Sequence, residues 1–312
     1  DKLRAMRCDR FEDLVATNAL IRPGPLDSGM TDVFIRRKLG KEPVVYPLPE
    51  LEPVLESTYG VITYQEQVMR IAQILAGFTL AEADVLRKAV GKKDAELIQK
   101  ELGKFVERAV ERGFDRRVIE DLAEQIETFG RYGFNRSHSV AYALLSYQTA
   151  WLKRHYPAEF MAALLSSVVD KTEDVVNYIG ECREIWRYIP GRTRGIEVLP
   201  PDVNESEWKF TPVSDDRIRF GLGAVRGVGE AAVRSILEAR RTGGPFRSLF
   251  DLLDRTDPRA VGKRALEALI MAGACDSLVE RLPSGVAHRA RLLAGLEVAA
   301  REAQLRHEER AA

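Results

Sequence analysis

The feature that most constrains the fold is a run of apolar residues spaced by three and four, which extends from Tyr64 to Val169. A period near 3.6 residues places such side chains on one face of an α-helix. The clearest positions are Ile98, Leu102, Phe105 and Ala109, then Val118, Leu122, Ile126 and Phe129. The run therefore predicts a series of amphipathic helices.

Capping residues divide this run into separate helices. Thr79 and Glu82 have the spacing of a capping box, which marks a helix start. Gly91 and Gly113 predict helix ends, because glycine readily adopts the left-handed conformation that ends a helix. Pro157 stands where a first helical turn would begin.

The pattern changes after residue 190. Ile196–Leu199 has the composition of a β-strand. Two short segments, Trp208–Thr211 and Arg217–Phe220, flank Ser214–Asp216 as the strands of a predicted β-hairpin. The sequence thus predicts a mainly α fold with a small β segment.

Charge and cysteine content narrow the class of protein. The chain has 47 basic and 47 acidic residues, so its total charge neither requires nor excludes a polyanionic partner. Cys8, Cys182 and Cys275 match no metal-binding spacing and predict free structural thiols. Because there is no run of about 18 apolar residues and no signal peptide at Asp1–Arg4, we expect a cytoplasmic protein without membrane contact. The missing initial Met predicts a part of a longer chain.

The sharpest signal in the last third is the glycine turn, formed by Arg226, Gly227, Val228 and Gly229. Its two glycines would leave backbone N–H groups unblocked at the start of a helix, where the dipole also favours an anion. Arg226 and Arg234 flank the turn and would neutralise phosphates. This helix-hairpin-helix pattern predicts DNA binding through phosphate and shape. The alternative is that the glycines only permit a tight corner between helices.

A second helical pair is predicted over Lys263–Leu278. It resembles the first pair, over Gly221–Arg241, in rhythm but lacks the glycine turn. Whether it contacts DNA or only supports the first pair stays open.

The cation run, Arg87–Lys93, holds four positive charges in seven residues and no acid. Its cations are Arg87, Lys88, Lys92 and Lys93. The cluster suits phosphate binding, but basic residues also stabilise the C-terminal end of a helix. Both interpretations stay open on this pattern alone.

The polar segment, Tyr132–Tyr142, brings several hydrogen-bonding side chains to the start of an apolar helix. They are Asn135, Arg136, Ser137 and His138, followed by Ser139. These groups and the outward N–H groups would hold phosphate, and an aromatic residue at each end would stack on a base. The alternative is that the serines are helix caps and His138 is a surface residue.

No catalytic centre is assigned from the residues. Phosphoryl transfer by two metal ions needs two or three acids converging on Mg²⁺, and the adjacent pair in a strand context is Asp215 and Asp216. Because Asp is common in turns, we interpret this pair as turn residues. The sequence has no nucleophile triad, Walker loop or zinc site, so no catalytic or metal-binding residue is predicted.

Ordered motifs extend over about residues 9–280. They are Arg22–Pro25, Thr63–Met69, Arg87–Lys93, Gly133–Ser139, Ser146–Lys153, Tyr156–Phe160 and Leu199–Asn204. Together they resemble the bacterial replicative DNA polymerase III alpha family, a group of C-family polymerases. Chance agreement of so many ordered motifs is negligible.

The resemblance implies a division into domains and a role for each. The domains are a helical, nucleotide-binding fingers domain (1–190), a linker with short β-strands (191–220), a tandem helix-hairpin-helix domain that binds duplex DNA (221–285) and a C-terminal helix (286–312). It also implies that the cations of the cation run contact the triphosphate. Asn135, Arg136, Ser137 and His138 would line the nucleotide pocket.

The resemblance further implies a parent DNA-directed DNA polymerase. Its partners would be primer–template DNA, deoxynucleoside triphosphates, the sliding clamp and other replisome subunits. Its Mg²⁺ would be held by palm aspartates outside this chain, so we do not expect the segment alone to polymerise DNA.

One segment, Trp186–Arg194, departs from the family, where a brief turn stands instead. No role is implied for it. Two other functions stay as alternatives: a non-enzymatic helix-hairpin-helix module that binds DNA, and a scaffold for partner proteins that shows no salt-dependent DNA binding.

Overall fold

The computed structural model describes residues 1–92, 95–130, 132–278 and 285–311. The chain divides into two compact units, Asp1–Gln148 and Thr149–Ala312. Helices make up most of both units, which confirms the mainly α fold class. The predicted boundaries near residues 190, 220 and 285 stay predictions.

The first unit consists of helices. They are α1 (Lys2–Met6), α2 (Phe11–Leu20), α3 (Pro23–Asp27), α4 (Met30–Lys38), α5 (Glu52–Leu55), α6 (Gln65–Ala76), α7 (Leu80–Lys92), α8 (Ala95–Glu111), α9 (Arg116–Gly130) and the start of α10 (Arg136–His155). Residues of the apolar run on α6 to α9, among them Phe105, Leu122 and Phe129, are buried in one core. The predicted amphipathic helices are therefore confirmed.

Two of the predicted helix ends have different outcomes. Gly113 has a φ of 94°, and α8 ends two residues before it, as predicted. The prediction for Gly91 is wrong, because α7 continues through it to Lys92. Gly91 is not among the residues with positive φ, so it does not make the left-handed turn that ends a helix.

A buried ion pair joins α2 to α4. The Lys38 ammonium lies 2.8 Å from one carboxylate oxygen of Asp13 and 2.6 Å from Asp9. The side chains of Asp13 and Lys38 are 0% and 4% exposed. The Tyr59 hydroxyl donates to the other Asp13 oxygen at 3.1 Å. Each group in this cluster thus depends on the others for its charge balance or hydrogen bonds.

The second unit combines helices with a small sheet. The helices are α11 (Pro157–Ser167), α12 (Thr172–Glu184), α13 (Glu230–Gly243), α14 (Leu249–Arg255), α15 (Lys263–Ala272) and α16 (Gly285–Ala311), and the strands are β1 (Glu197–Leu199), β2 (Thr211–Ser214) and β3 (Arg217–Arg219). In the sheet β3 lies centrally, parallel to β1 and antiparallel to β2. Helix α11 begins at Pro157, as predicted.

The predicted β-hairpin exists, but its first strand is shifted. Strand β2 begins at Thr211, whereas Trp208–Thr211 was the expected strand. Phe210 is buried in the apolar core, and its N–H donates to the Ser166 hydroxyl at 3.1 Å rather than to a neighbouring strand. Phe210 therefore fills the core instead of pairing in the sheet.

The second helical pair also lies elsewhere than predicted. Helix α15 follows α14 across a connection that ends at Gly262, so the pair spans Leu249–Ala272 instead of Lys263–Leu278. Gly273, with a φ of 87°, ends α15, and only a 3-10 turn at Asp276–Leu278 follows in the predicted range. In the range predicted for the first pair, Gly221–Arg241, a 3-10 turn at Leu222–Ala224 precedes α13.

The cysteines divide by environment. Cys182 and Cys275 are buried, and burial raises the pKa of each thiol to about 12. Cys8 is exposed, so burial in a core does not account for it. Among the described residues, no helix has the length and apolar character needed to cross a membrane.

Candidate functional site

The polar segment lies against the start of helix α6. Phe134 pairs with Tyr64 as a parallel β-bridge, and the Phe134 carbonyl accepts the Gln65 N–H at 2.9 Å. The Glu66 carboxylate accepts the Arg136 N–H through both oxygens, at 3.0 and 3.1 Å. Consecutive backbone and side-chain bonds therefore fix where α10 begins.

Asn135 caps helix α10. Its side-chain oxygen accepts the His138 N–H at 3.0 Å and the Ser137 hydroxyl at 2.5 Å. Ser139 is buried, and its hydroxyl has no hydrogen-bond partner within the described part of the chain. The capping role considered for the serines thus falls to Asn135, while Ser137 and His138 stay exposed.

Aromatic rings surround His138. Its ring centroid is 5.3 Å from that of Phe134 and 4.6 Å from that of Tyr142, one helical turn later. The guanidinium of Arg22 lies 4.4 Å from the Phe134 centroid and also donates to the Tyr132 carbonyl. The segment thus offers the exposed side chains of His138 and Tyr142 near the exposed Arg136, an arrangement suited to stacking on a base next to a phosphate.

The first two cations of the cation run share one carboxylate. Asp84, one turn earlier on α7, lies 2.8 Å from the Arg87 guanidinium and 2.7 Å from the Lys88 ammonium. Hydrogen bonds from Lys88 and Arg87 hold the pKa of Asp84 below its ordinary value. The three groups together carry one net positive charge. The side chain of Lys92 and the whole of Lys93 lie outside the described residues.

The polar segment and the cation run meet the same end of α6. A β-carbon placed on Gly91, near the end of α7, would lie 3.5 Å from the side-chain nitrogen of Gln65. Gln65 is the first residue of α6 and is the residue bonded to Phe134. The two helices that carry the predicted phosphate-binding residues, α7 and α10, therefore share a support at Gln65.

In the second unit, the glycine turn leaves its backbone open. Gly229 caps α13 with extended backbone, at φ −83° and ψ 162°, and a β-carbon there would meet no atom within 4 Å. Gly227 needs its φ of 92°, which other residues rarely adopt. Val228, also predicted to contact DNA, has a buried side chain, and its N–H donates to the Val225 carbonyl. Arg226 is exposed.

Arg234 already has a partner. It lies 2.7 Å from the carboxylate of Glu230, the first residue of α13, and both side chains are largely exposed. An exposed pair of this kind contributes about 0.5 kcal/mol or less, so a DNA phosphate can compete for the arginine.

The second helical pair has a turn like the first. Gly262 caps α15 at φ −76° and ψ 167°, close to the conformation of Gly229. Lys263 and Arg264 follow it and are exposed, although Lys263 lies 2.6 Å from Glu297. The second pair therefore also has a capping glycine, Gly262, immediately ahead of the predicted range.

The Asp215–Asp216 pair lies in the turn between β2 and β3. Asp216 accepts the Ser214 hydroxyl at 2.8 Å, which lowers the pKa of its carboxyl. The Asp215 carbonyl accepts a bond from Arg192, in the segment that departs from the family. Within the described ranges no three His, Cys, Asp or Glu side chains form a group that could hold a metal ion.

Three residues of these sites were not predicted. Asp84 had a visible signal, because it stands three and four residues before two cations on one helix face. Gly262 also had one, since Val261–Gly262 repeats Val228–Gly229 ahead of a helix. Glu66 stands in the Thr63–Met69 motif, but nothing in the sequence pairs it with Arg136, 70 residues away.

Two family models match the chain. The model of the bacterial DNA polymerase III alpha subunit finger domain matches residues 1–113. A helix-hairpin-helix motif model matches residues 195–282, which include both glycine-capped helices.

Individual proteins are similar over most of the chain. The DNA polymerase III subunit alpha of Pseudomonas aeruginosa is 50% identical over 281 residues, which cover 88% of this chain and 23% of that protein. The Escherichia coli K12 subunit is 50% identical, with 89% and 24% covered. The Vibrio cholerae subunit is 46% identical, with 98% and 26% covered. The chain thus spans about a quarter of the length of these relatives.

Proposed function

Because the chain belongs to the bacterial DNA polymerase III alpha family and matches its finger and helix-hairpin-helix modules, we propose that it is the part of a DNA-directed DNA polymerase that binds the incoming deoxynucleoside triphosphate and the primer–template duplex. The first unit would hold the nucleotide, and the second the duplex.

The observation that carries the nucleotide proposal is the shared support at the start of α6. Arg87 and Lys88 belong to the helix beside Gln65, and Arg136 and His138 belong to the helix bonded to it. The cations would balance the charge of the triphosphate and stabilise the negative charge that develops on the departing pyrophosphate. The exposed rings around His138 would stack on the base.

The duplex proposal rests on the open backbone at Gly229. The first N–H groups of an α-helix have no acceptor within the helix, and the dipole makes this end attractive to an anion. Arg226 and Arg234 would add phosphate contacts around it. Such binding follows the backbone of the duplex without reading its sequence.

The metal, the further partners and the location of the polymerase are proposed from the family alone. The Asp215–Asp216 pair does not fit a divalent metal such as Mg²⁺, because Asp216 is engaged by Ser214 in a turn and no third acid joins the pair in the part of the chain that the structure describes. We propose that palm aspartates elsewhere in the polymerase hold it. The sliding clamp, the other replisome subunits and a cytoplasmic location belong to the same proposal.

Amide hydrogen exchange tests the nucleotide proposal. The experiment uses the full-length polymerase with a chain-terminated primer and the complementary nucleotide at about 100 times its Kd. At the amides of Tyr132–Tyr142 that open only without ligand, the nucleotide should slow exchange by about 100-fold. A non-complementary nucleotide is the control. A DNA-binding module without enzymatic function would give no such protection, and that result would contradict the proposal.

Gly229→Glu tests the duplex proposal. The extended backbone at Gly229 accepts any residue, and the site is open, so the change places a negative charge at the proposed phosphate site without strain. Repulsion of about 1 kcal/mol or more predicts a loss of duplex affinity of at least about fivefold at low salt. Gly227 is unsuitable, because its positive φ would add about 1–2 kcal/mol of strain.

Gly180→Glu is the matched control for this charge. Gly180 is exposed on α12, and a β-carbon there meets no atom within 4 Å. Duplex affinity would be measured by fluorescence anisotropy over a salt series. Equal losses from both substitutions would count against a specific site at Gly229.

A further inference from the structure

The segment Thr63–Gln67 is held in place by the side chain of Gln67. The Gln67 amide oxygen accepts the N–H groups of Thr63 and Tyr64 at 2.8 and 2.9 Å. Its amide nitrogen donates to the Thr58 hydroxyl at 2.8 Å and to the Val54 carbonyl at 3.1 Å. Gln67 is buried, so these bonds are shielded from water and the start of α6 is well fixed.

From this fixed point, Glu66 reaches the start of α10. The first turn of α10 contains no acidic residue, and it contains Arg136 and His138. The partial positive charge at a helix start favours a carboxylate, which here comes from another helix. Both Glu66 oxygens bond to the Arg136 N–H, so Glu66 helps to set the position of this first turn, together with the Gln65–Phe134 backbone bond.

Neighbouring residues tie the same point to the cation run. The Gln65 N–H holds the Phe134 carbonyl, and the Gln65 side chain lies beside Gly91 of α7. The start of α6 thus contacts both helices that carry the proposed phosphate-binding residues. A change in the Glu66 contact would move one group relative to the other.

We propose that Glu66 is a positioning residue for the proposed nucleotide pocket, acting through the Arg136 amide to align Arg136 and His138 with the cations of α7. This inference rests on the proposed function. Glu66 itself does not contact the nucleotide. Misplacement of binding groups by about 1 Å can cost up to about 100-fold in rate.

The test is single-turnover nucleotide incorporation by the full-length polymerase. We expect Glu66→Ala to lower the ratio of the incorporation rate to the nucleotide Kd by at least about tenfold, because the α10 start loses its acceptor. Glu66→Gln keeps one acceptor oxygen and should restore the ratio to within about threefold of the unaltered enzyme. Duplex affinity should stay unchanged in both, and Glu111→Ala, at an exposed position on α8, is the control for loss of a carboxylate.

Three outcomes would overturn the positioning role: no effect of Glu66→Ala, tighter nucleotide binding in that variant, or an equal loss of duplex affinity. Tighter binding would mean that the carboxylate repels the triphosphate instead of aligning the pocket. Failure of the proposed function itself is distinguishable, because Arg87→Ala and His138→Ala would then also leave the nucleotide kinetics unchanged.

Discussion

Lys38→Met should destabilise the first unit by about 3 kcal/mol, the largest effect expected for a single side chain here. Methionine leaves the buried Asp13 carboxylate without its closest cation. The Tyr59 hydroxyl at 3.1 Å, the backbone N–H groups of Asp9 and Arg10, and the half-exposed Arg10 guanidinium at 3.5 Å remain, and they compensate its charge only in part. Removing one member of a buried ion pair costs more than the pair contributes, because the other charge stays away from water.

This effect should depend on pH. Burial alone would raise the pKa of Asp13, but hydrogen bonds from Lys38 and Asp9 outweigh it and lower the pKa below its ordinary value. A lowered carboxyl pKa contributes stability above the unfolded value of about 3.9, and this contribution is lost as the pH falls through the folded value. The difference in the free energy of unfolding between the unaltered protein and Lys38→Met should therefore be full at pH 7. It should shrink as the pH falls below about 4.

The measurement is the urea dependence of amide exchange in α2, which reports on the first unit alone. Lys2→Met is the matched control, since Lys2 pairs with Asp32 while both side chains are over 40% exposed. An exposed pair contributes about 1 kcal/mol or less. If the two substitutions had equal effects, Asp13 would not depend on Lys38 in the way its burial suggests.

Arg87→Ala should lower nucleotide incorporation by the full-length polymerase on the order of 100-fold. The net charge of Asp84, Arg87 and Lys88 would fall from one positive charge to zero, so less charge remains to balance the departing pyrophosphate. His138→Ala should give a smaller loss, because it removes a ring and not a guanidinium. Single-turnover kinetics over a nucleotide titration would measure both.

The control for Arg87 is Arg116→Ala. Arg116 also pairs with a carboxylate, that of Glu107, at 3.0 and 3.1 Å on the surface of the first unit. Its loss should leave incorporation within about twofold, as expected for an exposed pair. Duplex affinity should be unchanged in both variants. A parallel loss of duplex affinity in Arg87→Ala would argue against a separate nucleotide site.

Local signals in the sequence predicted local structure well. The capping box at Thr79 forms as expected, since Glu82 accepts the Thr79 N–H and donates its own N–H to the Thr79 hydroxyl. Helix α11 starts at Pro157 because proline suits a first turn. Both features depend only on residues within one helical turn of each other, so a short stretch of sequence is enough to predict them.

Contacts between distant segments were beyond such signals. Lys38 and Asp13 are separated by 25 positions and Glu66 and Arg136 by 70, and nothing in the spacing of their neighbours pairs them. The prediction at Gly91 failed for a related reason. Glycine permits a helix end but does not impose one, and here α7 continues beside Gln65.

The Glu230–Arg234 pair has a consequence for how salt would weaken DNA binding. Each phosphate that a protein neutralises releases counterions from DNA, which gives a slope of about −0.9 per contact in a plot of log affinity against log salt. Glu230 stays tethered one helical turn from Arg234 when a phosphate arrives, so the arginine would neutralise less than one full charge. The measured slope should therefore be shallower than a count of the arginines around the turn would give, and Glu230→Gln should make it steeper.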